Sequence, residues 1–276
     1  VWAQNTWLAP VFIAAPSINQ GALALKALQR NWALHPTSFF RRANLIQEKL
    51  PTVSCKPLVF GNTVPSAPLG AWTLWDEQQI LASQTCSSPF ADGEIHFQEN
   101  KIDPPGRAYL KLWEALTLLG KKPQPGEICI DLGSSPGGWT WVLATLGATV
   151  ISLDKSPLAK NVNAMPNVYF KHGSAFDQNN LGREKFNLEE FGCKPESKID
   201  WLCSDVICYP DRLLKLVQRW LDANCCRNFI CTIKLQGELQ ASNDFEIIDQ
   251  FRAIPGSRLM HLSHNKHEIT WALLEK

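Results

Sequence analysis

From about residue 107 to the carboxyl terminus, apolar runs of strand length alternate with amphipathic stretches of helical length. The expected strands are Glu127–Leu132, Thr149–Leu153, Val168–Lys171, Ile199–Cys203, Asn228–Leu235, Arg258–Ser263 and Glu268–Leu274, and the expected helices are Arg107–Gly120, Trp139–Leu146, Asp211–Leu221 and Phe245–Ala253. This alternation predicts an α/β fold with a mainly parallel sheet, right-handed crossovers and helices on both faces. Only His264–His267 separates the last two strands, so those strands should pair antiparallel.

The segment before this alternation is harder to interpret, and we assign residues 1–95 to a small α+β region and residues 96–276 to the main domain. The amino-terminal expectations are a strand over Leu8–Ala15, helices over Gln20–Trp32 and Phe39–Lys49, proline-rich loops over 51–70, and strands within Trp72–Ala82 and Glu94–Phe97. Residues 1–75 contain a single acid, Glu48, and several bases: Lys26, Arg30, Arg41, Arg42, Lys49 and Lys56. This excess of positive charge fits a surface that contacts phosphates and an ordinary solvated surface equally well. Trp32, Phe39 and Phe40 could stack on nucleic-acid bases, although core packing is the more common use of such side chains.

Composition excludes several classes of protein. The chain contains 45% hydrophobic and 19% charged residues and no long apolar run, so a globular domain without a transmembrane helix is expected. Its nine cysteines form no C-x-x-C pair, which favours reduced, buried thiols in a cytoplasmic protein over zinc or disulfides. The apolar amino terminus has no basic lead-in, and this favours a first strand or a trimmed chain over a secretory signal. His172 and the histidines of 261–267 lack convincing metal-ligand spacing, so no metal is expected.

The stretch IDLGSSPGGWT, residues 130–140, is the most informative motif in the chain. An apolar strand ends at Asp131, a turn with Gly133 and Gly137 follows, and a helix is expected from about Gly138. Doubly wound sheets bind cofactors at this kind of strand–loop–helix crevice, where glycines allow the backbone to approach a ligand.

The loop does not have the spacing of a dinucleotide-binding fingerprint. Gly133 and Gly137 do not fit G-x-G-x-x-G, and Pro136 removes a backbone amide that a pyrophosphate would use. The loop therefore favours a ligand with a methionine-like tail and a ribose. Asp154, which ends the next strand, is placed to accept hydrogen bonds from ribose hydroxyls.

DLGSSPGGWT resembles the first motif of the FtsJ-like methyltransferases, D-L-G-x-x-P-G-G-[WF], and the resemblance covers roughly Ser88 to the end of the chain. SPFADGEIHFQENKIDPPGRAYLKLWEA is similar to the lead-in of the family's M-type branch, which modifies a cytidine ribose in large-subunit rRNA. The resemblance implies a Rossmann-like class I methyltransferase with a seven-stranded sheet and S-adenosyl-L-methionine as cofactor. It also implies RNA as substrate, and the resemblance to the M-type branch implies rRNA.

By resemblance, the residues expected at the cofactor are Asp131, Gly133, Ser135, Pro136, Gly137, Gly138, Trp139, Asp154, Ser174 and Asp205. The family often has an acid after the third strand that contacts the adenine. This chain has KHGSAFD there, with Ser174 in the matching place, so Ser174, Ala175 and Phe176 stay open as adenine contacts.

The family also carries a Lys-Asp-Lys-Glu tetrad, and the matching residues are Lys111, Asp205, Lys234 and Glu268. A lysine can take the proton of a ribose hydroxyl only when its pKa is pulled down, and burial and a second cation both act in that direction. The resemblance implies that Lys234 is the general base, that Asp205 and Lys111 orient and tune it, and that Glu268 holds the network or the ribose. Lys234 also interrupts an apolar strand, where a charge is costly unless it has a use.

Other functions fit less well. Exocyclic-amine methyltransferases place an N/D-P-P-Y/F motif where this chain has SDVI, and carbon-5 pyrimidine enzymes commonly need a Pro-Cys pair, which is absent from this sequence. The loop spacing disfavours an NAD-linked oxidoreductase. A catalytically silent RNA-binding or ribosome-assembly factor with a methyltransferase fold remains the alternative to an enzyme.

Overall fold

The computed structural model describes residues 3–53, 56–177, 198–235 and 243–275. They fall into two compact units, which divide between Gln98 and Glu99. Within the described residues, no helix has the length and apolar character needed to cross a membrane. In the same residues, no group of three or more His, Cys, Asp or Glu side chains is arranged to hold a metal ion.

The first unit is a four-stranded sheet with two helices, α1 and α2. Its strands lie in the order β1-β4-β3-β2, and only the β2–β3 pair is parallel. The elements are β1 Pro10–Ala14, α1 Ile18–Leu28, β2 Trp32–Leu34, α2 Phe40–Gln47, β3 Gly70–Asp76 and β4 Gln79–Ser83. Trp32 and Trp72 are completely buried in the core of this unit, so the core interpretation is correct for Trp32, whereas Phe39 and Phe40 are exposed.

Three expectations for this unit were wrong in detail. The first helix ends at Leu28 instead of continuing to Trp32, because Gln29 takes an extended conformation and Trp32 enters β2. The apolar stretch Trp72–Ala82 is a hairpin of two strands, whose turn is held by the amide of Gln78 donating to the Asp76 carboxylate. Glu94–Phe97 forms no strand; only an isolated bridge joins Phe97 to Leu58.

The second unit contains a seven-stranded sheet in the order β10-β11-β9-β8-β5-β6-β7. Its strands are β5 Ile128–Leu132, β6 Thr149–Asp154, β7 Val168–His172, β8 Ile199–Ser204, β9 Cys226–Lys234, β10 Ser257–Met260 and β11 Glu268–Leu273. Every pairing from β7 across to β9 is parallel, and β11 is antiparallel to both of its neighbours. The predicted α/β sheet with a closing antiparallel hairpin is therefore confirmed.

Helices connect these strands and bury apolar faces on the sheet. They are α3 Tyr109–Leu119, α4 Gly138–Thr145, α5 Lys160–Asn163, α6 Pro210–Asp222 and α7 Asp244–Ala253. Gly120 ends α3 in the left-handed conformation, as a glycine at that point predicts. Pro210 begins α6, where its fixed φ suits the first helical turn, and Leu213, Val217 and Trp220 face the core.

The topology gathers the polar strand ends at one edge of the sheet. The parallel strands β5, β6, β8 and β9 all finish at that edge, and the reversed strand β11 begins there. In register, Leu132 is paired with both Leu153 and Ser204, and Glu268 is directly opposite Lys234. The residues that follow these positions are consequently neighbours in space.

Candidate active site

Four charged side chains from four different elements meet at this edge. The ammonium of Lys111, from α3, donates to Asp205 Oδ1 at 2.8 Å and to Glu268 Oε1 at 2.9 Å. The ammonium of Lys234, from the end of β9, donates to Asp205 Oδ1 and to Glu268 Oε2, each at 2.5 Å. Each lysine thus bridges the same two carboxylates, and the four residues expected from the sequence form one closed ring of ion pairs.

The ring is largely shielded from water. The side chains of Lys111, Asp205, Lys234 and Glu268 are exposed by only 11%, 17%, 15% and 11%. Burying two cations beside two anions keeps the net charge of the cluster near zero, which is the condition under which buried charges are tolerated.

The pKa of Lys234 differs from the expectation. Burial lowers the pKa of this lysine, but the charge of Asp205 and hydrogen bonds to Asp205 and Glu268 outweigh burial, so the pKa is raised above that of a free lysine. The expectation that a second lysine and burial would pull it towards neutrality was therefore wrong for the site as it stands. The reason is that the two carboxylates contact the ammonium directly.

The glycine loop after β5 approaches other backbone segments closely. Gly133 has φ +75°, and a Cβ there would lie 2.6 Å from Val206 Cβ, so no larger residue fits without displacement. Gly137 has φ +113°, and a Cβ would lie 3.0 Å from Val162 Cγ1. Gly138 begins α4 and lies against the start of α3, where a Cβ would be 3.4 Å from the Tyr109 nitrogen.

Internal hydrogen bonds hold the remainder of this loop. The amide of Ser135 donates to Asp154 Oδ2 at 3.0 Å, and its hydroxyl donates to the Pro157 carbonyl at 2.9 Å. The Pro136 carbonyl accepts from the amide of Ala159. Trp139 is buried, and its indole donates to the Ala108 carbonyl at 3.0 Å, so it connects α4 to the start of α3.

Asp131 is buried beneath the loop. Its Oδ2 accepts from the hydroxyl of Thr140 at 2.7 Å, and that hydroxyl also lies 2.7 Å from the hydroxyl of Ser152. Burial raises the pKa of Asp131 to about 7, even though the Thr140 hydrogen bond acts in the opposite direction. Asp131 supports the loop from below instead of lining the cleft above it.

The cleft beside the loop has a volume of about 190 Å³. Of the residues expected at a cofactor, Gly133, Asp154 and Ser174 line it. The Asp154 carboxylate accepts hydrogen bonds from the backbone amides of Ser135 and Ser156, and its remaining lone pairs can accept from further donors. The open candidates Ala175 and Phe176 line the same cleft.

The cleft also contains residues that the sequence did not point to, namely Lys155, Gly173, Val206, Ile207 and Arg212. The Arg212 guanidinium lies 4.0 Å from the centre of the Phe176 ring. These two residues are far apart in sequence, and only the packing of α6 beside the segment after β7 brings them together. The one available signal was the place of Arg212 in the first turn of the helix that follows Asp205.

The residues present fit S-adenosyl-L-methionine. Gly133 lines the cleft without a side chain, so its backbone can approach a ligand there. Among the described residues, the buried hydroxyl of Ser134 in the same loop has no hydrogen-bond partner, as expected for a polar atom next to a ligand site. The Asp154 carboxylate can accept hydrogen bonds from the hydroxyls of a ribose, whereas the loop offers few free backbone amides to a pyrophosphate.

The sequence profile of FtsJ-like methyltransferases matches residues 105–253. The ribosomal RNA large subunit methyltransferase M of Halorhodospira halophila is 34% identical over 171 residues, which cover 60% of this chain and 46% of that protein. Its counterpart in Stenotrophomonas maltophilia strain R551-3 is 31% identical over 200 residues, covering 69% of this chain and 52% of the relative. The chain thus spans about half the length of the curated relatives it matches.

A TehB-like SAM-dependent methyltransferase from Corynebacterium glutamicum is similar in structure, with a TM-score of 0.35 and 14% identity, covering 61% of this chain and 96% of the other. The strand order and the profile match agree with the resemblance found in the sequence. The chain belongs to the FtsJ-like methyltransferase family, and its cofactor is the S-adenosyl-L-methionine on which that family depends.

Proposed function

We propose that this chain transfers a methyl group from S-adenosyl-L-methionine to a ribose 2'-hydroxyl of RNA, and that the RNA is large-subunit rRNA. The ring formed by Lys111, Asp205, Lys234 and Glu268 is the observation that carries this proposal. The ring is adjacent to the cofactor cleft, because Val206, the residue directly after Asp205, lines that cleft.

The reaction requires the hydroxyl to lose a proton and its oxygen to lie in line with the methyl group. The donor supplies an activated methyl bound to a positively charged sulfur. Lys234, as a neutral amine, would accept the hydroxyl proton while the hydroxyl oxygen bonds to the methyl carbon and the methyl–sulfur bond breaks, so that the donor would leave as a neutral thioether. Because Asp205 and Glu268 raise the pKa of Lys234, this amine must first release its own proton.

The other three members of the ring hold Lys234 in position. Asp205 and Glu268 accept from both lysines, so neither carboxylate can rotate without breaking two contacts. Lys111 supplies the second cation that keeps the two acids close together. Preorganised charges of this kind avoid the cost of reorienting groups as the reaction proceeds.

Groups suited to a nucleic acid surround the site. Arg212, Lys215 and Arg219 line a cavity of about 440 Å³ along α6, and Arg212 also lines the cofactor cleft. Ile207 and Tyr209, in the loop after Asp205, are 84% and 65% exposed. Cations attract phosphates, and exposed aromatic or apolar side chains can stack on unpaired bases. The rRNA assignment itself comes from the names of the relatives, rRNA large subunit methyltransferases.

Methyl transfer from a radiolabelled donor to rRNA of a strain that lacks the gene tests the proposal. We expect the wild type to label the RNA and Lys234→Met to lose at least 100-fold in rate, because the ring loses its base. Lys121→Met is the matched control, since Lys121 donates to Asn228 and to the Glu275 carbonyl, away from the ring, and should retain full activity.

Two results would contradict the proposal. Equal rates for Lys234→Met and the wild type would remove the ring from catalysis. Tight binding of the donor and of RNA without any transfer would favour the catalytically silent RNA-binding factor.

A further inference from the structure

Glu114 is a buried acid that the proposed reaction does not use. It lies on α3 one turn after Lys111, within the segment RAYLKLWEA, and is 1% exposed. A buried carboxylate is costly unless its oxygens are fully hydrogen-bonded, so its partners indicate what it does.

Within the part of the chain that the structure describes, its hydrogen-bond partners belong to two consecutive residues of the loop between β10 and β11. Glu114 Oε1 accepts from the amide of Ser263 at 2.7 Å and from its hydroxyl at 2.9 Å. Oε2 accepts from the amide of His264 at 3.0 Å and lies 2.6 Å from its Nδ1. A carboxylate can only accept, so Nδ1 is the donor in that contact. One side chain therefore fixes both the backbone and the side chains of this loop.

The same loop leads directly into Glu268. The His267 carbonyl accepts from the amide of Leu235, next to Lys234, and Asn265 lies within hydrogen-bonding distance of Thr270. Helix α3 then holds the start of β11 at two points, because Glu114 binds residues 263 and 264 while Lys111 binds Glu268. The position of the Glu268 carboxylate depends on both attachments.

We propose that Glu114 is a positioning residue: it docks the β10–β11 loop on α3 and thereby sets where Glu268 meets Lys111 and Lys234. Its catalytic consequence rests on the proposed function, whereas its effect on the ring does not. Among the described residues, no hydrogen bond or ion pair joins Glu114 to a ring residue, so Glu114 acts through the backbone of residues 263–268.

Glu114→Gln separates this role from simple burial, because glutamine has nearly the same shape. It offers one acceptor oxygen in place of two, and its amide group would face donors that it cannot accept from. The loop then loses part of its attachment to α3, and Glu268 is displaced from the lysines. We expect kcat for methyl transfer to fall about 10-fold or more, with KM for the methyl donor changed less than about twofold, since small misplacements of reacting groups are costly.

The matched control is Glu127→Gln. Glu127 also accepts from a backbone amide and a side chain, those of Gln124 and Trp201, but it lies at the amino end of β5, on the opposite edge of the sheet. The Glu127→Gln substitution should lower thermal stability in the same way as Glu114→Gln, but it should leave the ring unaffected.

Two measurements on the full chain test the proposal. The first is the 15N NMR signal of each lysine Nζ in protein with labelled lysine, with Lys111 and Lys234 assigned by loss of a signal in Lys111→Arg and Lys234→Arg. The second is single-turnover methyl transfer at saturating donor and RNA. Glu114→Gln should shift both ring signals and lower the rate, and Glu127→Gln should do neither.

The outcomes separate the two proposals. If Glu114→Gln lowers thermal stability as much as Glu127→Gln but leaves the ring signals and the rate unchanged, Glu114 is only a structural residue and the inference fails. If the ring signals shift while even the wild type transfers no methyl group to RNA, the positioning role stands and the proposed function falls.

Discussion

At the scale of single residues, Lys234 is the group on which the proposed chemistry depends. The sequence predicted its place but not its protonation state. Its position came from the match of this lysine to the family's Lys-Asp-Lys-Glu tetrad, whereas the balance between burial and two carboxylates needed coordinates. A raised pKa means that the ammonium form predominates throughout the neutral range.

The rate of methyl transfer should consequently rise with pH. Below its pKa, the neutral fraction of a base grows about tenfold for each pH unit, so log kcat should increase with a slope near one from pH 6 to pH 9. Single-turnover rates with saturating donor and RNA measure this, and Lys121→Met should show the same slope. A plateau beginning near pH 7 would mean that another group accepts the proton.

Asp131 should make stability depend on pH in the opposite sense from an ordinary acid. Burial raises its pKa to about 7 from 3.8, so between these values the folded chain keeps a proton that the unfolded chain has lost. Its contribution to the free energy of unfolding is therefore complete below pH 4 and is lost as the pH rises through 7.

Urea unfolding of the wild type and Asp131→Asn at several pH values tests this sign. The free energy of unfolding of the wild type, relative to the variant, should fall by about 2 kcal/mol between pH 5 and pH 7. A difference that does not change with pH, or one that increases, would show that the carboxyl is ionised in the folded chain.

At the scale of elements, regular apolar patterns made the parallel sheet predictable from the sequence. A turn inside a largely apolar stretch was not predictable in the same way. The strands β5, β6, β8 and β9 follow apolar runs whose carboxyl ends lie at Asp131, Asp154, Asp205 and Lys234. The β3–β4 turn was missed because Trp72–Ala82 stays largely apolar around a short polar interruption at 76–79. Local pattern also gave no sign of the Arg212–Phe176 contact, since that contact depends on how α6 packs.

The glycine loop was predicted as a site of close backbone approach, and Gly133→Ala tests it. The added Cβ would meet Val206 in a backbone conformation that disfavours alanine. We expect donor affinity to fall at least 10-fold and the free energy of unfolding to drop by about 1–3 kcal/mol. Calorimetric titration with S-adenosyl-L-methionine measures the first effect.

Gly106→Ala is the control for this substitution, because no atom lies within 4 Å of its added Cβ. It should bind the donor as the wild type does. Unchanged donor affinity in Gly133→Ala would contradict the placement of the cofactor at this loop.

At the scale of the whole molecule, the second unit contains the complete ring and the cleft. Residues from Glu99 onward include all four ring members, and residues up to Gln98 form a core of their own around Trp32 and Trp72. Whether the amino-terminal unit binds RNA stays a prediction, since its basic residues alone do not distinguish a phosphate-binding face from a solvated one.

This division predicts that residues 99–276 fold and bind the donor without the first unit. The affinity for S-adenosyl-L-methionine should stay within about threefold of that of the full chain, because the described residues that line the cleft all lie after Glu99. Calorimetric titration of the purified fragment measures it. An unfolded fragment, or one with a tenfold weaker affinity, would contradict this prediction.

We propose that the ring directs the methyl group to a ribose 2'-hydroxyl. Alkaline hydrolysis of RNA that carries the radiolabelled methyl group shows whether it does. Alkali cleaves RNA through the free 2'-hydroxyl, so a 2'-O-methylated ribose leaves an uncleaved dinucleotide. Label from the wild type should appear in alkali-resistant dinucleotides and should disappear with Lys234→Met. Label in single nucleotides would place the methyl group on a base and contradict the proposed reaction.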